Sequence, residues 1–237
     1  MQKTLLTLTA LLFLTNTFGQ KTEYRISLNS GLFSLAGKSA ESTSFINYDN
    51  FINSGYTNDP FGSDAALCYG LSADLKRVFK KDLVIGFDLG YENLRSKTLI
   101  NEIVFYPGNP TPYGASGKTF LNYSFINLYP YIGHRFSAKK FIFDITGGVD
   151  VGYCLKTHEE GNATDSIGTK YTTSPDRKRV STDIRPRVQF SLDYNKVGTY
   201  IGYSYGSKNY ATGYLEGTEE GECYARMIRF GLTYRIN

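Results

Sequence analysis

Residues 183–194, DIRPRVQFSLDY, alternate between two kinds of side chain with a period of two. One set is charged or polar and the other is apolar or aromatic: Asp183, Arg185, Arg187, Gln189, Ser191 and Asp193 against Ile184, Pro186, Val188, Phe190, Leu192 and Tyr194. An alternation of this length is typical of a β-strand whose two faces meet different surroundings. Because Pro186 lacks the N–H that a closed sheet needs, we expect a bulge there.

The composition of the 237-residue chain favours strands and turns over helices. The chain holds 20 Tyr, 16 Phe and 24 Gly against 2 Met, and aromatic residues are enriched in strands. The formal net charge is only +4, and no basic stripe is present. Nucleic acid is therefore not an expected partner.

The first residues have the pattern of a secretory signal peptide. A basic start at Met1–Lys3 precedes an apolar run at Leu5–Leu14, and small or turn-prone residues follow. A membrane-spanning helix is the alternative, but the run is shorter than the roughly 20 residues that such a helix needs. We expect residues 1–19 to be a cleaved signal peptide and residues 20–237 to form one barrel domain.

Eight alternating segments follow, at about residues 24–34, 67–75, 83–91, 120–136, 141–153, 183–194, 198–206 and 228–236. The fourth is apolar on both faces and contains Pro130, so its register stays open. Short turns alternate strictly with long polar connections, which lie at 36–64, 95–118, 155–181 and 207–222. This pattern predicts an all-β fold: an eight-stranded antiparallel up-and-down transmembrane β-barrel with short periplasmic turns and long extracellular loops. Segments of about 9–13 residues suit a bilayer crossing.

The apolar faces of these segments distinguish a membrane barrel from a soluble sandwich or barrel. A half-exposed soluble sheet would place mostly Lys, Glu, Ser and Thr on its polar face, whereas the polar faces here mix Asp, Arg, Gly and Ser. Tyrosines stand at the strand ends, as expected for interfacial girdles. They are Tyr24, Tyr69, Tyr91, Tyr153, Tyr194 and Tyr234.

The polar faces predict a charged lumen. An eight-stranded barrel is only wide enough for its own inward side chains, and buried charges are tolerated when they are paired. The predicted network comprises Asp74, Asp88, Asp144, Asp150, Asp183, Arg185, Arg187, Asp193, Arg229 and Arg235. Arg25, Lys76 and Glu92 are further inward candidates. We expect this network to plug the barrel, with Asp150 near the level of Arg185.

Two segments carry a resemblance to a known family. The chain ends in RFGLTYRIN, residues 229–237, and its fourth segment contains FINLYPYIGHRF, residues 125–136. With the signal peptide and the hairpin rhythm, they resemble the small bacterial outer-membrane β-barrel proteins of the OmpA-like and porin-like families. The resemblance implies contact with outer-membrane lipid. It also implies a last strand that the barrel-assembly machinery recognises, through Phe230 and Tyr234.

Nucleophilic catalysis has one candidate region, around His158. A nucleophile and its base must lie within hydrogen-bond reach, and His158 precedes Ser166 in a connection rich in Glu and Asp. Polar loops commonly have this composition, so we predict no catalytic residues.

The three cysteines, Cys68, Cys154 and Cys223, fall at the loop-side ends of segments that are not adjacent. A disulfide needs Cα atoms within about 7 Å, so three reduced thiols are expected. One disulfide with a leftover thiol, and a zinc site with a loop histidine, are the alternatives. No cofactor and no metal are predicted.

The expected function is non-enzymatic: a structural or surface-interaction role through the four extracellular loops. The first loop contains NYDNFINSGYTNDPFGSD, residues 47–64, a composition that suits sugars, cations or a plain polar surface. Three alternatives remain open. They are a narrow porin for small solutes, a secreted soluble β-barrel that holds a ligand, and an outer-membrane lipid-modifying enzyme.

Overall fold

The computed structural model describes residues 21–106, 108, 111–178, 180–211 and 221–237. Eleven strands are present in these ranges: β1 Lys21–Ala36, β2 Thr43–Asp49, β3 Ser54–Thr57, β4 Asp64–Val78, β5 Leu83–Phe105, β6 Tyr113–Ala138, β7 Phe141–Asp165, β8 Lys170–Thr173, β9 Thr182–Tyr194, β10 Val197–Tyr205 and β11 Tyr224–Arg235. Within them, no helix combines the length and apolar character required to cross a membrane. The expected signal peptide lies outside the described residues.

Eight of these strands form a closed antiparallel ring, which confirms the predicted fold class. The order around the ring is β1, β4, β5, β6, β7, β9, β10 and β11. The ring closes because β1 pairs with both β4 and β11, for example Arg25 with Asp74 on one side and with Arg235 on the other. Closure leaves the ring without a free strand edge.

The two ends of the ring differ in their connections. At one end, the turn end, β6 meets β7 and β9 meets β10 through short turns in which Lys139 and Asn195 have positive φ. Such φ values are typical of tight hairpins. A short 3-10 turn, Lys80–Asp82, joins β4 to β5 at the same end. Tyr24 and Asn237 also meet there, so both ends of the described chain lie at the turn end.

The opening strand β9 has the two faces that its sequence predicts. Val188 is 63% exposed on the outside, whereas Arg185 on the opposite face is completely buried. The other ring strands repeat this arrangement, with Leu28, Leu71 and Leu232 among the exposed apolar side chains. The outside of the ring is therefore an apolar band, and its inside is polar.

The bulge expected at Pro186 is absent. The register of β9 with β7 is constant from Tyr194–Phe141 to Thr182–Tyr153, and Pro186 pairs with Val149 within it. The pairing of β9 with β10 extends along β9 only as far back as Arg187, which pairs with Ser204 and directly follows Pro186 in the chain. Proline is tolerated here because its missing N–H falls where that ladder has ended.

Strand β6 resolves the register that the sequence left open. Its odd-numbered residues face inward from Thr119 to Arg135, and Pro130 faces outward. The pairing with β7 keeps the same register on both sides of Pro130, between Leu128–Val151 and Tyr131–Gly148.

Three strands are much longer than the sequence predicts, because β5, β6 and β7 contain 23, 26 and 25 residues. Much of the expected loops 95–118 and 155–181 is therefore sheet. Loop 36–64 also contributes β2, which pairs parallel to β5, and β3, which pairs with β2. We call the part formed by β2, β3, β8 and the ends of β5–β7 the extension. Its sequence lacks a clear apolar alternation, because beyond the apolar band the outer face contacts water.

Candidate functional site: lumen, extension and outer surface

The lumen layer nearest the turn end is built around Glu23, whose carboxylate is fully buried. Arg135 donates two hydrogen bonds to it, at 2.9 and 3.0 Å, and Arg25 donates one at 2.6 Å. Arg235, on the last strand, reaches the same carboxylate at 3.1 Å. One carboxylate thus joins strands β1, β6 and β11.

Asp144 is the second carboxylate of this layer. It accepts two hydrogen bonds from Arg135, at 2.7 and 2.9 Å, and Lys76 Nζ lies 2.7 Å from it. Asp193 lies 2.7 Å from Arg25 on the other side of the lumen. The layer is therefore one continuous ion-pair network.

The middle layer is organised by Arg229, which is completely buried. Its guanidinium donates to Glu92 at 2.9 and 3.0 Å, to Asp150 at 2.6 Å and to Ser204 at 2.5 Å. Arg185 lies opposite Asp150 across β7 and β9, as expected, with 3.3 Å between charged atoms. Four strands meet in this layer through charged side chains.

Hydroxyl groups and aromatic rings hold the remaining four predicted lumen residues. These contacts are Tyr131 Oη to Asp74 at 2.5 Å, Ser72 Oγ to Asp88 at 3.1 Å, Tyr210 Oη to Asp183 at 2.8 Å, and the Arg187 guanidinium 4.2 Å from the centre of the Tyr129 ring. The structure thus places all ten predicted network residues inside the ring.

Glu23 and Arg135 are lumen residues that the sequence did not predict. Glu23 precedes the first predicted segment by one residue, and Arg135 lies on the strand whose register was open. The signal for Arg135 was the odd-numbered polar series that includes Asn127, Tyr129 and Tyr131 in the same strand. That signal becomes visible only when Pro130 is placed on the outside.

The charged side chains leave little free space in the lumen. The cavities between these described side chains include one of about 20 Å³ next to Asp74 and Lys76 and one of about 10 Å³ next to Asp88 and Arg187. A cavity needs roughly 10–15 Å³ to hold one water molecule. Each space is therefore of the size of a single water molecule.

An apolar layer covers the charged layers on the loop side. Its buried members include Phe33, Leu35, Leu94, Leu121, Tyr123, Phe125 and Met227. Tyr210 packs edge-on against Tyr123, with 5.2 Å between ring centres. The sequence predicts a charged plug alone, so this second layer is a finding of the structure.

All three cysteines belong to this apolar layer and are present as reduced thiols, as expected. Burial raises the pKa of the Cys223 thiol to about 12. The thiolate is the metal ligand, and the described residues contain no group of metal-ligating side chains with suitable geometry. Nothing in the layer therefore favours the zinc alternative.

His158 does not meet Ser166, the hydroxyl that the sequence placed near it. Ser166 follows the end of β7, eight residues further along an extended strand, which corresponds to about 26 Å. Ser174 Oγ lies instead 3.3 Å from His158 Nε2, and Asp176 Oδ1 lies 2.6 Å from Nδ1.

These contacts follow the Ser–His–Asp order of many hydrolases, but they lie on the outer surface. Asp176 is 65% exposed and is shared with Lys156, whose Nζ is 2.9 Å away. The serine is also exposed. Water competes for each of these hydrogen bonds, which separates the arrangement from a preorganised catalytic triad.

The tip of the extension, formed by Phe51, Ile52 and Tyr106, exposes large apolar side chains beside a cavity. Phe51 is 80% exposed, and Ile52 and Tyr106 are each 71% exposed. A cavity of about 260 Å³ beside them is lined by Asn47, Asp49, Tyr56 and others. This surface combines apolar side chains with a few polar groups.

Comparison with known proteins gives similarity at the level of solved structures. No family model matches the chain, and no curated protein matches it. Neisserial surface protein A shares 9% identity over 90% of this chain and 98% of its own, with a TM-score of 0.40. The attachment invasion locus protein of Yersinia pestis, Ail, solved with the heparin analogue sucrose octasulfate, shares 12% identity over 91% and 99%, with a TM-score of 0.36.

The architecture follows from the strand pairing and the exterior of this chain. A closed ring of eight antiparallel strands satisfies every backbone group that faces a bilayer, and the apolar band surrounds it. The chain is a small transmembrane β-barrel. Its polar and charged side chains lie in three places: the filled lumen, the extension beyond the apolar band, and the outer surface where the band meets the extension.

Proposed function

We infer that this barrel lies in the bacterial outer membrane and acts without catalysis, by presenting its extension as a binding surface outside the cell. The observation that carries this proposal is a contrast between two regions. The lumen is filled by its own side chains, whereas the extension is an ordered structure that projects beyond the apolar band. Two features support the location. They are the signal-peptide pattern of residues 1–19 and the contact of Tyr24 with Asn237 at the turn end, which is the periplasmic end of such barrels.

The extension is held together by Glu159, which is fully buried. Its carboxylate accepts hydrogen bonds from the Thr57 amide and hydroxyl, both at 2.8 Å, and from Thr173 at 2.6 Å. Arg177 donates to it at 2.6 Å and also donates to the Thr57 carbonyl oxygen at 2.5 Å. One side chain therefore ties β3, β7 and β8 into a single unit.

A second apolar core lies beside this carboxylate. Ile46, Ile100 and Ile103 are buried in it, and Tyr48 packs edge-on against Tyr171 with 5.0 Å between ring centres. Side chains that are fixed in this way lose little conformational entropy when a partner binds. The extension is thus suited to present its tip to a partner.

The apolar side chains at the tip indicate a protein or glycan partner. Phe51, Ile52 and Tyr106 stand in the open next to Asp49 and Tyr56. Exposed apolar groups rimmed by polar residues are typical of interaction surfaces, and tyrosine rings with nearby carboxylates also suit sugars. The tip is therefore the part of the extension that would contact the partner.

Fractionation and conductance test this proposal. The protein should be found in the outer-membrane fraction, and the purified barrel should migrate differently on gels before and after heating. In planar bilayers it should give no discrete conductance steps at neutral pH, because the lumen is filled. Recovery in the soluble fraction would contradict the membrane location, and regular steps would favour the porin alternative.

A further inference from the structure

The outward side chains of β7 change from apolar to polar where the strand leaves the apolar band. On the turn-end side of this level, the even-numbered residues of β7, such as Cys154, face the lumen. A register shift between Ser124 and Phe125 of β6 leaves Leu155 as an extra residue in β7. On the extension side of Leu155, Thr157 faces inward and Lys156 faces outward. The bulge therefore turns polar side chains to the outside, which is a common role of bulges.

The bulge brings Lys156 into register with polar residues of the neighbouring strands. Ser124 and Asn93 lie beside it in one row, and Asn122 and Arg95 lie beside His158 in the next. These side chains line a groove of about 310 Å³ that opens outward, with Tyr69 at its lower edge. We call this the rim groove.

Arg95 is held in place within the rim groove. Its Nε donates to Asn122 Oδ1 at 2.8 Å, and its guanidinium lies 4.3 Å from the centre of the Phe120 ring. Among the described residues, Arg95 forms one ion pair, a long one of 3.9 Å between its Nη2 and Glu160 Oε2. Its guanidinium nitrogens beyond Nε therefore remain able to bind an anion from outside.

The charged side chains around the rim groove carry an excess of one positive charge. The outward cations are Arg95, Lys97, Lys118 and Lys156, and the outward carboxylates are Asp64, Glu160 and Asp176. Lys156 and His158 share Asp176, so one carboxylate serves two basic groups. Three of the four cations thus face a carboxylate, and one excess positive charge remains for an anion from outside to neutralise.

We propose that the rim groove binds the phosphate-bearing head group of a glycolipid in the outer leaflet of the membrane. Lys156 follows directly after Leu155, which is exposed within the apolar band. The groove thus lies where acyl chains end and head groups begin. Arginine suits phosphate because its planar fork binds two oxygens, while lysine acts as a point charge. This inference rests on the proposed location in the outer membrane.

The test uses the folded full-length barrel in zwitterionic micelles, with native mass spectrometry to measure bound lipid. The probes are lipid A with two phosphates, the same lipid without phosphates, and inorganic phosphate. Wild-type protein should prefer the phosphorylated lipid. The double variant R95Q/K156Q should bind it about tenfold less tightly, because two charge-assisted contacts are removed.

Arg226 provides the matched control. It is an exposed cation on the outside of β11, next to Tyr205 and Ser34 on the opposite wall, and it does not line the rim groove. R226Q should leave lipid binding unchanged, and heat-modifiable migration should show that each variant is folded. Equal binding of both lipids, or an equal loss in R226Q, would overturn the inference.

Three further outcomes would each contradict a different part of this inference. Full competition by millimolar inorganic phosphate would show a site for free phosphate and contradict the lipid assignment. A barrel found in the outer membrane that shows no lipid preference would refute this inference alone. A barrel found in the soluble fraction would refute the proposed function as well.

Discussion

The lumen contains many buried charged groups and the extension contains few. This difference indicates that the two regions have different roles. In the lumen, Glu23, Arg135 and Arg229 each contact two or more oppositely charged groups. In the extension, one buried carboxylate, Glu159, stands beside an apolar core. The lumen charges pair with one another and face only cavities of the size of a single water molecule, so they are suited to stabilise the ring. The extension uses little charge internally and leaves its tip free for a partner.

The largest expected effect is on the lumen. Replacing Arg229 with Met leaves Glu92 and Asp150 without their shared cation, so the free energy of unfolding should fall by about 3–5 kcal/mol, as is typical for a broken buried ion pair. Urea titration in micelles, followed by heat-modifiable migration, measures this change.

The control for this prediction is R235M, because Arg235 lies at the turn end and is partly exposed. Its effect should be clearly smaller. The double variant R229M/E92Q should recover part of the lost stability, since one buried charge is removed with its partner. Equal losses in R229M and R235M would contradict the importance of the middle layer.

A smaller effect is expected in the extension. E159Q keeps a hydrogen-bond acceptor but removes the charge that Arg177 meets, which should destabilise the extension by about 1–3 kcal/mol. Limited proteolysis should then cut within residues 43–57 or 165–178, while heat-modifiable migration of the ring stays unchanged. E160Q is the matched control, because Glu160 is exposed on the same strand. Loss of heat-modifiability in E159Q would show that the two regions are not independent.

The smallest effect concerns the outer surface between these regions. Hydrogen bonds from Lys156 and His158 hold the pKa of Asp176 below its ordinary value. The stability that these contacts of Asp176 contribute is therefore present above the ordinary carboxyl range and is lost as the pH falls through the lowered pKa. K156Q should move the pKa of Asp176 back towards its ordinary value. NMR titration of a carboxyl-labelled sample measures this, and an unchanged pKa would contradict the contact.

Sequence patterns predicted the ring well and the extension poorly, for one physical reason. A strand in the ring has lipid on one side and a polar lumen on the other, so its residues must alternate, as in β9. A strand in the extension has water on its outer face, so Arg95, Asn122 and His158 are as acceptable there as apolar residues. The ends of β5, β6 and β7 therefore carried no pattern that would separate them from loops.

The sequence alone determined the eight strands, their antiparallel order and the face of most of them. It did so because the hydrophobic effect imposes a period of two on every residue between lipid and lumen. Only the tertiary structure decided which charges meet, since Arg229, Glu92 and Asp150 lie on three strands that closure of the ring brings together. It also decided which way Lys156 points, because a single extra residue in β7 reverses the two faces.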